Sequence, residues 1–496
     1  MKEEVIIIGG GLGGLTTGAL LAKEGHRVTV LEKNETIGGG LQTFKRHGIE
    51  FETGMHILGG FRPGGSLYRI CSYLGILHRL RLRSVDNDCM DSITYASDGV
   101  TYRIAAGREG FVESLAGYFP KEKEHLKRYV DTLYALTEEL DVFYLRPTND
   151  DIFQHSEQFL WAADRLIAHY INDPKLRDVL AYMNPMYGGI AGHTPAYIHA
   201  LINILYINGP DRFEGGSLQL AEALKEVIEQ GGGHVLNKAE AARIEVVDKQ
   251  VKRVVTTDGR SFSAPYYISA THVGEMLRIA DNSAFPRSYV NRLRSIPGSY
   301  SIFSLFIELK EGVFPYINHT CYYQTDYEHV WHLGEYDAHQ WPYGFMYMTP
   351  PDVNQGATAT HLIVNCIMPF DVVRRWEDTK TGRRGAEYKA WKLQHQNRVI
   401  AGMEKIYPEF RQMIKHVHAA SPLTVRDYYH STEGSIYGFA KDCENFLLSQ
   451  VPIFTKVRNL FLTGQCVSLH GICGVPLSAI NTAEAIVGRN KIIEKL

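Results

Sequence analysis

Residues Val5-Ile6-Ile7-Ile8 form a short, wholly apolar, β-branched run that stops in Gly9-Gly10-Gly11-Leu12-Gly13-Gly14. Such a run reads as a parallel strand buried on both faces. The glycines at 9, 11 and 14 stand in the spacing GxGxxG, and each has a mechanical task. The first permits a tight turn, the second lets the backbone approach a pyrophosphate, and the third lets the following helix pack closely on the strand. The pattern then predicts a helix over 13–23 with Leu15, Ala19 and Ala22 on one face, stopped by Gly25. A second strand, Val28-Thr29-Val30-Leu31, delivers Glu32, 18 residues past Gly14. A carboxylate there accepts hydrogen bonds from both hydroxyls of an adenosine ribose and repels a 2′-phosphate. A lone GxGxxG is a weak signal. Here strand, glycines, helix, strand and acid stand in register, which specifies a dinucleotide-binding unit.

The rest of the chain must be organised around that unit. Its 496 residues exceed the roughly 250–300 at which a single core stops growing, so two or more domains, or one core with large insertions, are expected. Lys and Arg number 52 against 55 Asp and Glu, a net charge of −3, which lacks the basic excess of a nucleic-acid binder. Glycine is abundant (46) while proline is not (19), so the glycines serve particular backbone positions rather than disorder. The 29 Tyr, 21 Phe and 5 Trp are flat apolar surface that serves equally as core or as the wall of a ligand tunnel. Seven scattered cysteines with no CxxC pair argue for free thiols in a reducing compartment and against a disulfide framework or a zinc site, and no metal ligand set is expected. No apolar run approaches the ~18 residues of a spanning helix. The start Met1-Lys2-Glu3-Glu4 runs straight into the strand at Val5, leaving no room for a signal peptide. The expected location is cytoplasmic, with contact at a membrane surface left open.

A second glycine cluster, in Lys33-Asn34-Glu35-Thr36-Ile37-Gly38-Gly39-Gly40-Leu41-Gln42-Thr43, follows directly on the ribose carboxylate. Flavoproteins related to amine oxidases carry such a doublet, where backbone amides face an extended cofactor. The segment Gly48-Ile49-Glu50-Phe51-Glu52-Thr53-Gly54-Met55-His56 is similar to their F-[DE]-x-G-x-H pattern. From these motifs the chain resembles the phytoene desaturase and all-trans-retinol saturase group of FAD-dependent oxidoreductases, within the amine oxidase and GDI-like superfamily. Tyr187-Gly188-Gly189, Pro195, His199, Tyr206-Ile207-Asn208-Gly209 and Gly215-Gly216-Ser217-Leu218 follow in an order similar to the saturase branch. At the other end, Leu460-Phe461-Leu462-Thr463-Gly464-Gln465 and Gly471-Ile472-Cys473-Gly474-Val475-Pro476 resemble the strand and helix start that close the FAD site.

The resemblance implies an α/β fold, a Rossmann-like FAD/NAD(P)-binding domain with an inserted α+β substrate domain. The FAD domain would be assembled from residues 1–105, 215–284 and 436–496, with a helical, membrane-facing or substrate region at 106–214 and a substrate sheet with helices at 285–435. It also implies FAD contacts from Gly9, Gly11, Leu12, Gly13, Gly14, Glu32, Lys33, Gly38, Gly39, Gly40, Leu41, His56, Val235, Ala270, Gly464, Gln465, Gly474 and Val475. No second GxGxxG follows an expected strand, so an electron partner, whether NAD(P)H or a quinone, has no Rossmann domain of its own.

Residues 121–140 carry Leu126, Tyr129, Val130, Leu133, Leu136 and Leu140 at helical spacing, with Lys121, Lys123, Lys127 and Arg128 opposite. Such a helix either touches anionic lipid or presents a solvated face. The run Trp341 to Met348 is core or pocket wall. His56 is the candidate proton donor or a packing residue over the ring, and Tyr437, in a saturase-like stretch, is the second catalytic candidate. His470 and Cys473 flank the last glycine turn and read as structural. The expected activity is saturation or desaturation of a carbon–carbon bond in a hydrophobic isoprenoid polyene, with hydride exchanged at flavin N5 and a proton at the neighbouring carbon. A histidine, titrating near neutrality, suits that proton. The alternatives are an amine oxidase or protoporphyrinogen oxidase type of flavoenzyme, and a prenyl-binding GDI-like escort protein. The oligomeric state is not legible.

Overall fold

The structure, a computed structural model, describes residues 3–54, 56–148 and 154–496, so Met55 of the histidine-bearing segment lies outside the described residues, as do Met1 and Lys2. Its helices include α1 (Leu12–Lys23), α2 (Lys123–Glu138), α3 (Ala196–Ile207), α4 (Leu218–Gln230) and α5 (Gly471–Val487).

Five parallel strands form one sheet in the spatial order Leu460–Leu462, Tyr266–Ser269, Glu4–Ile8, Arg27–Leu31, His234–Leu236. Three distant stretches of chain therefore share one sheet. The continuous apolar run at its centre has a simple cause. Val5 and Ile7 pack into one hydrophobic core and Ile6 and Ile8 into another, so neither face of the strand meets water. Helix α1 is buried along nearly its whole length, between α4 on one side and α5 on the other. A three-stranded antiparallel sheet (Ala241–Val247, Gln250–Thr256, Ser261–Phe262) flanks this unit, with Asp258-Gly259 at its second turn.

The second large sheet has seven strands in the order Ile414–Ala420, Ser301–Leu309, His361–Met368, Gly344–Met348, Thr320–Gln324, Asp91–Tyr95, Thr101–Ile104. Its last two strands lie before residue 105, so the expected boundary there is displaced. Asp91–Tyr95 pairs in parallel with Thr320–Gln324, more than two hundred residues away, and joins the substrate sheet rather than the dinucleotide sheet. Short strands of four and five residues carry no mark of which sheet they will enter, because the partner is set by non-local packing. The aromatic run near residue 341 is core: Trp341 is buried against Phe303 and His395, and its indole N–H donates to the Ile367 carbonyl at 2.8 Å.

Helix α2 begins at Lys123, two residues later than expected, after a short turn at Pro120–Glu122. Its stripe of Leu126, Tyr129, Val130, Leu133 and Leu136 is buried against α3, where the Tyr129 hydroxyl meets His199 at 2.5 Å. The apolar face of this helix thus lies inside the protein, and Lys123 on the other face pairs with Glu113 at 2.7 Å. Among the described residues no helix is long and apolar enough to cross a membrane.

A hairpin, Thr43–Arg46 with Ile49–Glu52, links the two sheets. It leaves the second glycine cluster and lays Phe51 among Phe306, Met348 and Ile363 of the seven-stranded sheet. Leu305, fully buried on the strand next to the edge of that sheet, measures how much the substrate domain depends on its core. Leu305→Ala should lower unfolding stability by about 2–5 kcal/mol, read from chemical denaturation of the FAD-loaded protein.

Candidate functional site

The amino-terminal turn is built from backbone alone. Gly9 has φ +106° and its N–H donates to the Leu31 carbonyl at 2.9 Å. A Cβ placed on Gly14 would stand 2.0 Å from the Gly9 carbonyl oxygen, so only glycine lets α1 start this close to the strand. Gly11 caps α1 without a side-chain hydrogen bond, and the first turn, with Leu12, Gly13 and Gly14, carries no acid. Its free amides and the positive helix end form an anion site.

The second glycine cluster sits directly against this turn. The Gly38 N–H donates to the Gly10 carbonyl at 2.7 Å, and a Cβ on Gly39, whose φ is +57°, would come within 3.2 Å of the Gly11 Cα. Leu41 is buried and its carbonyl accepts the Ser217 hydroxyl at 3.1 Å, while the Gly40 carbonyl lies beside Gly54.

Glu32 is only 5% exposed. Its Oε2 accepts the Gly10 N–H and its Oε1 the Asn34 N–H, both at 2.8 Å. A carboxylate offers about four lone-pair sites, so each oxygen keeps one for a ribose hydroxyl. Lys33 turns elsewhere: its Nζ donates to the Asp427 carbonyl at 3.0 Å, and burial holds its ammonium below the usual range. Val235 lies opposite Val30 at the sheet edge, and the Glu32 N–H donates to the neighbouring Leu236 carbonyl at 2.9 Å. Ala270 follows its strand alongside Gly9, donating to the Ile8 carbonyl at 2.8 Å.

The carboxy-terminal half meets the same point. Gly464, with φ +98°, ends its strand so close to α1 that a Cβ on Gly13 would sit 2.8 Å from the Gly464 Cα and 3.3 Å from a Val475 methyl. The Thr17 and Thr463 hydroxyls share a hydrogen bond of 3.0 Å across this contact. Gly474 is closed in by Leu469, and the Gln465 carbonyl faces Gly438. Helix α5 starts after His470, again with no side-chain cap and no acid in its first turn. Two uncapped, acid-free helix starts therefore flank a cradle of glycines that any Cβ would fill. An extended anionic dinucleotide fits this arrangement.

The catalytic candidates stand on two walls. The His56 Nδ1 lies 3.4 Å from Glu52 Oε2, with both side chains almost wholly buried and Glu52 Oε1 without a partner among the described residues. Glu52 was not singled out from the sequence: it ends a strand, where a spacing of four predicts no side-chain contact. His361 is buried near this pair, and desolvation lowers its pKa to about 4. Glu52 and His361 also line a polar cavity of about 420 Å³ with Lys45, Arg81 and Asp352.

On the other wall the Tyr437 ring stacks obliquely on His470, centroids 5.0 Å apart, and touches Gly188. Burial raises the Tyr437 phenol above its ordinary range and drops the His470 pKa to about 3, with Lys441 adding to the second effect. Neither ring nitrogen of His470 has a protein partner among the described residues. Tyr206, Tyr300, Tyr322 and Tyr429 are desolvated around the same wall. No local motif marks these four as neighbours. Burial pushes the Cys473 thiol up to about 12, which suits a structural role. Cys473 lines a small apolar cavity of about 20 Å³ with Leu201, Leu205, Leu469 and Leu477.

Residues 12–487 match the family described as flavin containing amine oxidoreductase. The chain belongs to this family. Among curated relatives, an all-trans-retinol 13,14-reductase of Danio rerio is 26% identical over 99% of this chain and 87% of its own length. A prolycopene isomerase of an Oncidium hybrid cultivar is 24% identical over 98% and 84%. A solved putrescine oxidase bound to putrescine superimposes with a TM-score of 0.67 at 13% identity, covering 99% of this chain and all of the other, a likeness of fold. This flavin-dependent oxidoreductase thus has the Rossmann-like fold with an inserted substrate domain, and its cofactor is FAD.

Two measurements check the site. Glu32→Gln leaves the fold in place but weakens two amide contacts and the ribose contact, so FAD affinity should fall at least about tenfold, read by titration of the apoprotein. His470 yields a stability prediction with a definite sign. An unfolded histidine titrates near ~6.5, whereas the folded His470 stays neutral down to about 3. Between those values only the unfolded chain gains the proton, so the stability His470 confers is complete above about 6.5 and is lost as pH falls. In His470→Gln, the slope of stability against pH between about 4 and 6 should be shallower by about 1.4 kcal/mol per pH unit.

Proposed function

We propose that the protein saturates or desaturates carbon–carbon bonds of a hydrophobic isoprenoid polyene. Support comes first from the curated relatives, which align with 98–99% of the chain and are named for retinol and prolycopene, both polyenes. The observation in the molecule that carries the reading is the desolvated aromatic wall of Tyr206, Tyr300, Tyr322, Tyr429 and Tyr437 beside a neutral His470. That wall offers flat, largely apolar area, which suits a conjugated chain.

When bound, FAD supplies hydride exchange at N5. The glycine cradle and Glu32 would hold its pyrophosphate and ribose, and the uncapped start of α5 would offer positive potential to an anionic group. His56 exchanges the proton with the neighbouring substrate carbon, and Glu52, at its Nδ1, orients the ring and sets the tautomer. Water is kept out by the buried wall, which stabilises neither a stray proton nor a free anion. The retinol reductase resemblance over the full chain favours saturation as the physiological direction. A nicotinamide or a quinone would exchange electrons at the same flavin, because the sequence holds no second dinucleotide fingerprint. A substrate stored in a bilayer calls for a peripheral membrane contact outside the buried stripe of α2.

The test uses FAD-loaded protein, oxidised and dithionite-reduced, incubated with retinol, phytoene and a panel of amines. A polyene should be converted in one redox state and no amine in either. Absence of polyene conversion in both states overturns the proposal, and amine oxidation would favour the alternative enzyme. His56→Gln should retain its flavin spectrum while turnover falls about 10²–10⁴-fold, and full turnover in that variant removes His56 from the chemistry.

A further inference from the structure

The seven-stranded sheet ends in the edge strand Ile414–Ala420, and the described residues gather three histidines around one acid there. Glu308 stands directly opposite His416 in the antiparallel register, and Phe306 opposite His418. Alternation puts His416 and His418, two residues apart, on the same face of the strand. The turn of the linking hairpin then swings His47 over that face.

Glu308 has 4% of its side chain exposed, an environment in which a carboxylate must be paired. Lys415 Nζ takes its Oε1 at 2.7 Å. Its Oε2 receives two imidazoles at once, His416 Nδ1 at 2.9 Å and His47 Nδ1 at 3.3 Å. One atom of each of the three residues lies within 4.8 Å of the others. In a tetrahedral zinc site with bonds of about 2.0–2.1 Å, neighbouring ligand atoms stand about 3.3 Å apart. The two oxygen–nitrogen distances, 2.9 and 3.3 Å, already approach that spacing. His418 lies outside this cluster, its ring 5.6 Å from that of His47, so a fourth position would fall to water.

The hairpin loop is the pair His47-Gly48, with φ of +50° and +88°.

We propose that His47, Glu308 and His416, with water as the fourth donor, bind a zinc-class divalent cation that fastens the linking hairpin to the edge of the substrate sheet. Two imidazoles and a carboxylate are the donor set such ions prefer. Because the hairpin joins the second glycine cluster to Glu52 and His56, the ion would hold the two halves of the site in register. The proposal does not depend on the substrate.

The test is a titration of FAD-loaded protein with Zn²⁺, followed by removal of loose metal and measurement of zinc per chain. One zinc per chain should be retained, with a rise in unfolding temperature. His47→Gln and His416→Gln, both at exposed positions, should each weaken binding at least about tenfold while the flavin spectrum stays unchanged. An exposed cluster of His193, Asp442 and Glu444 is the competing location. Failure to retain zinc, equal retention by the His47→Gln/His416→Gln double variant, or loss of zinc in Asp442→Asn would each overturn the proposal.

Discussion

The absence of a Cβ at Gly13 sets the architecture. A methyl there would lie 2.8 Å from the Cα of Gly464, so the first helix could not meet the last strand. The two residues are more than four hundred positions apart, so the chain that leaves the dinucleotide sheet for the substrate sheet must return to it. The close approach also aligns α1 with α5, so that two helix starts act from neighbouring positions. Each contributes roughly half a positive charge. Neither start is neutralised by a capping side chain or an acid, and the combined potential awaits an anion.

That electrostatic demand explains the character of the surrounding residues. Had His470, at the start of α5, been charged, it would have added to a field already positive, and with Lys441 nearby it would have repelled its own proton more strongly still. Desolvation and Lys441 act in the same direction, and the imidazole is neutral. Glu32 shows the opposite case. Two backbone amides hold its carboxylate in the site.

The dinucleotide half was legible because its determinants are local. Gly9, Gly11, Gly14, the apolar strand and Glu32 lie within one βαβ unit, and each is demanded by sterics or by hydrogen bonding that needs no distant partner. Gly464 and the start of α5 were reached by resemblance, since nothing in their own spacing shows what they pack against. The substrate half was far less legible. Asp91–Tyr95 enters the seven-stranded sheet through a partner beyond residue 300, and Tyr206, Tyr322 and Tyr429 converge from three separate elements. The side chain of Lys33, beside the ribose carboxylate in sequence, reaches the Asp427 carbonyl, a partner no local pattern marks. The grouping of His47, Glu308 and His416 was likewise not legible, because Glu308 lies over a hundred residues from His416 and farther still from His47.

The linking hairpin connects these two kinds of information. Its first strand leaves the glycine cluster that sequence alone revealed, and its second ends at Glu52, whose contact with His56 only the fold displays. Phe51 is anchored among Phe306, Met348 and Ile363, so the hairpin belongs mechanically to the substrate sheet. Its glycine end belongs to the dinucleotide turn through the Gly38 to Gly10 hydrogen bond. A shift of the substrate sheet must therefore be transmitted to the backbone that faces the cofactor, with only a two-residue turn between the strands to absorb it. Packing so close is rigid rather than compliant, and rigidity there is what hydride and proton exchange at adjacent carbons requires.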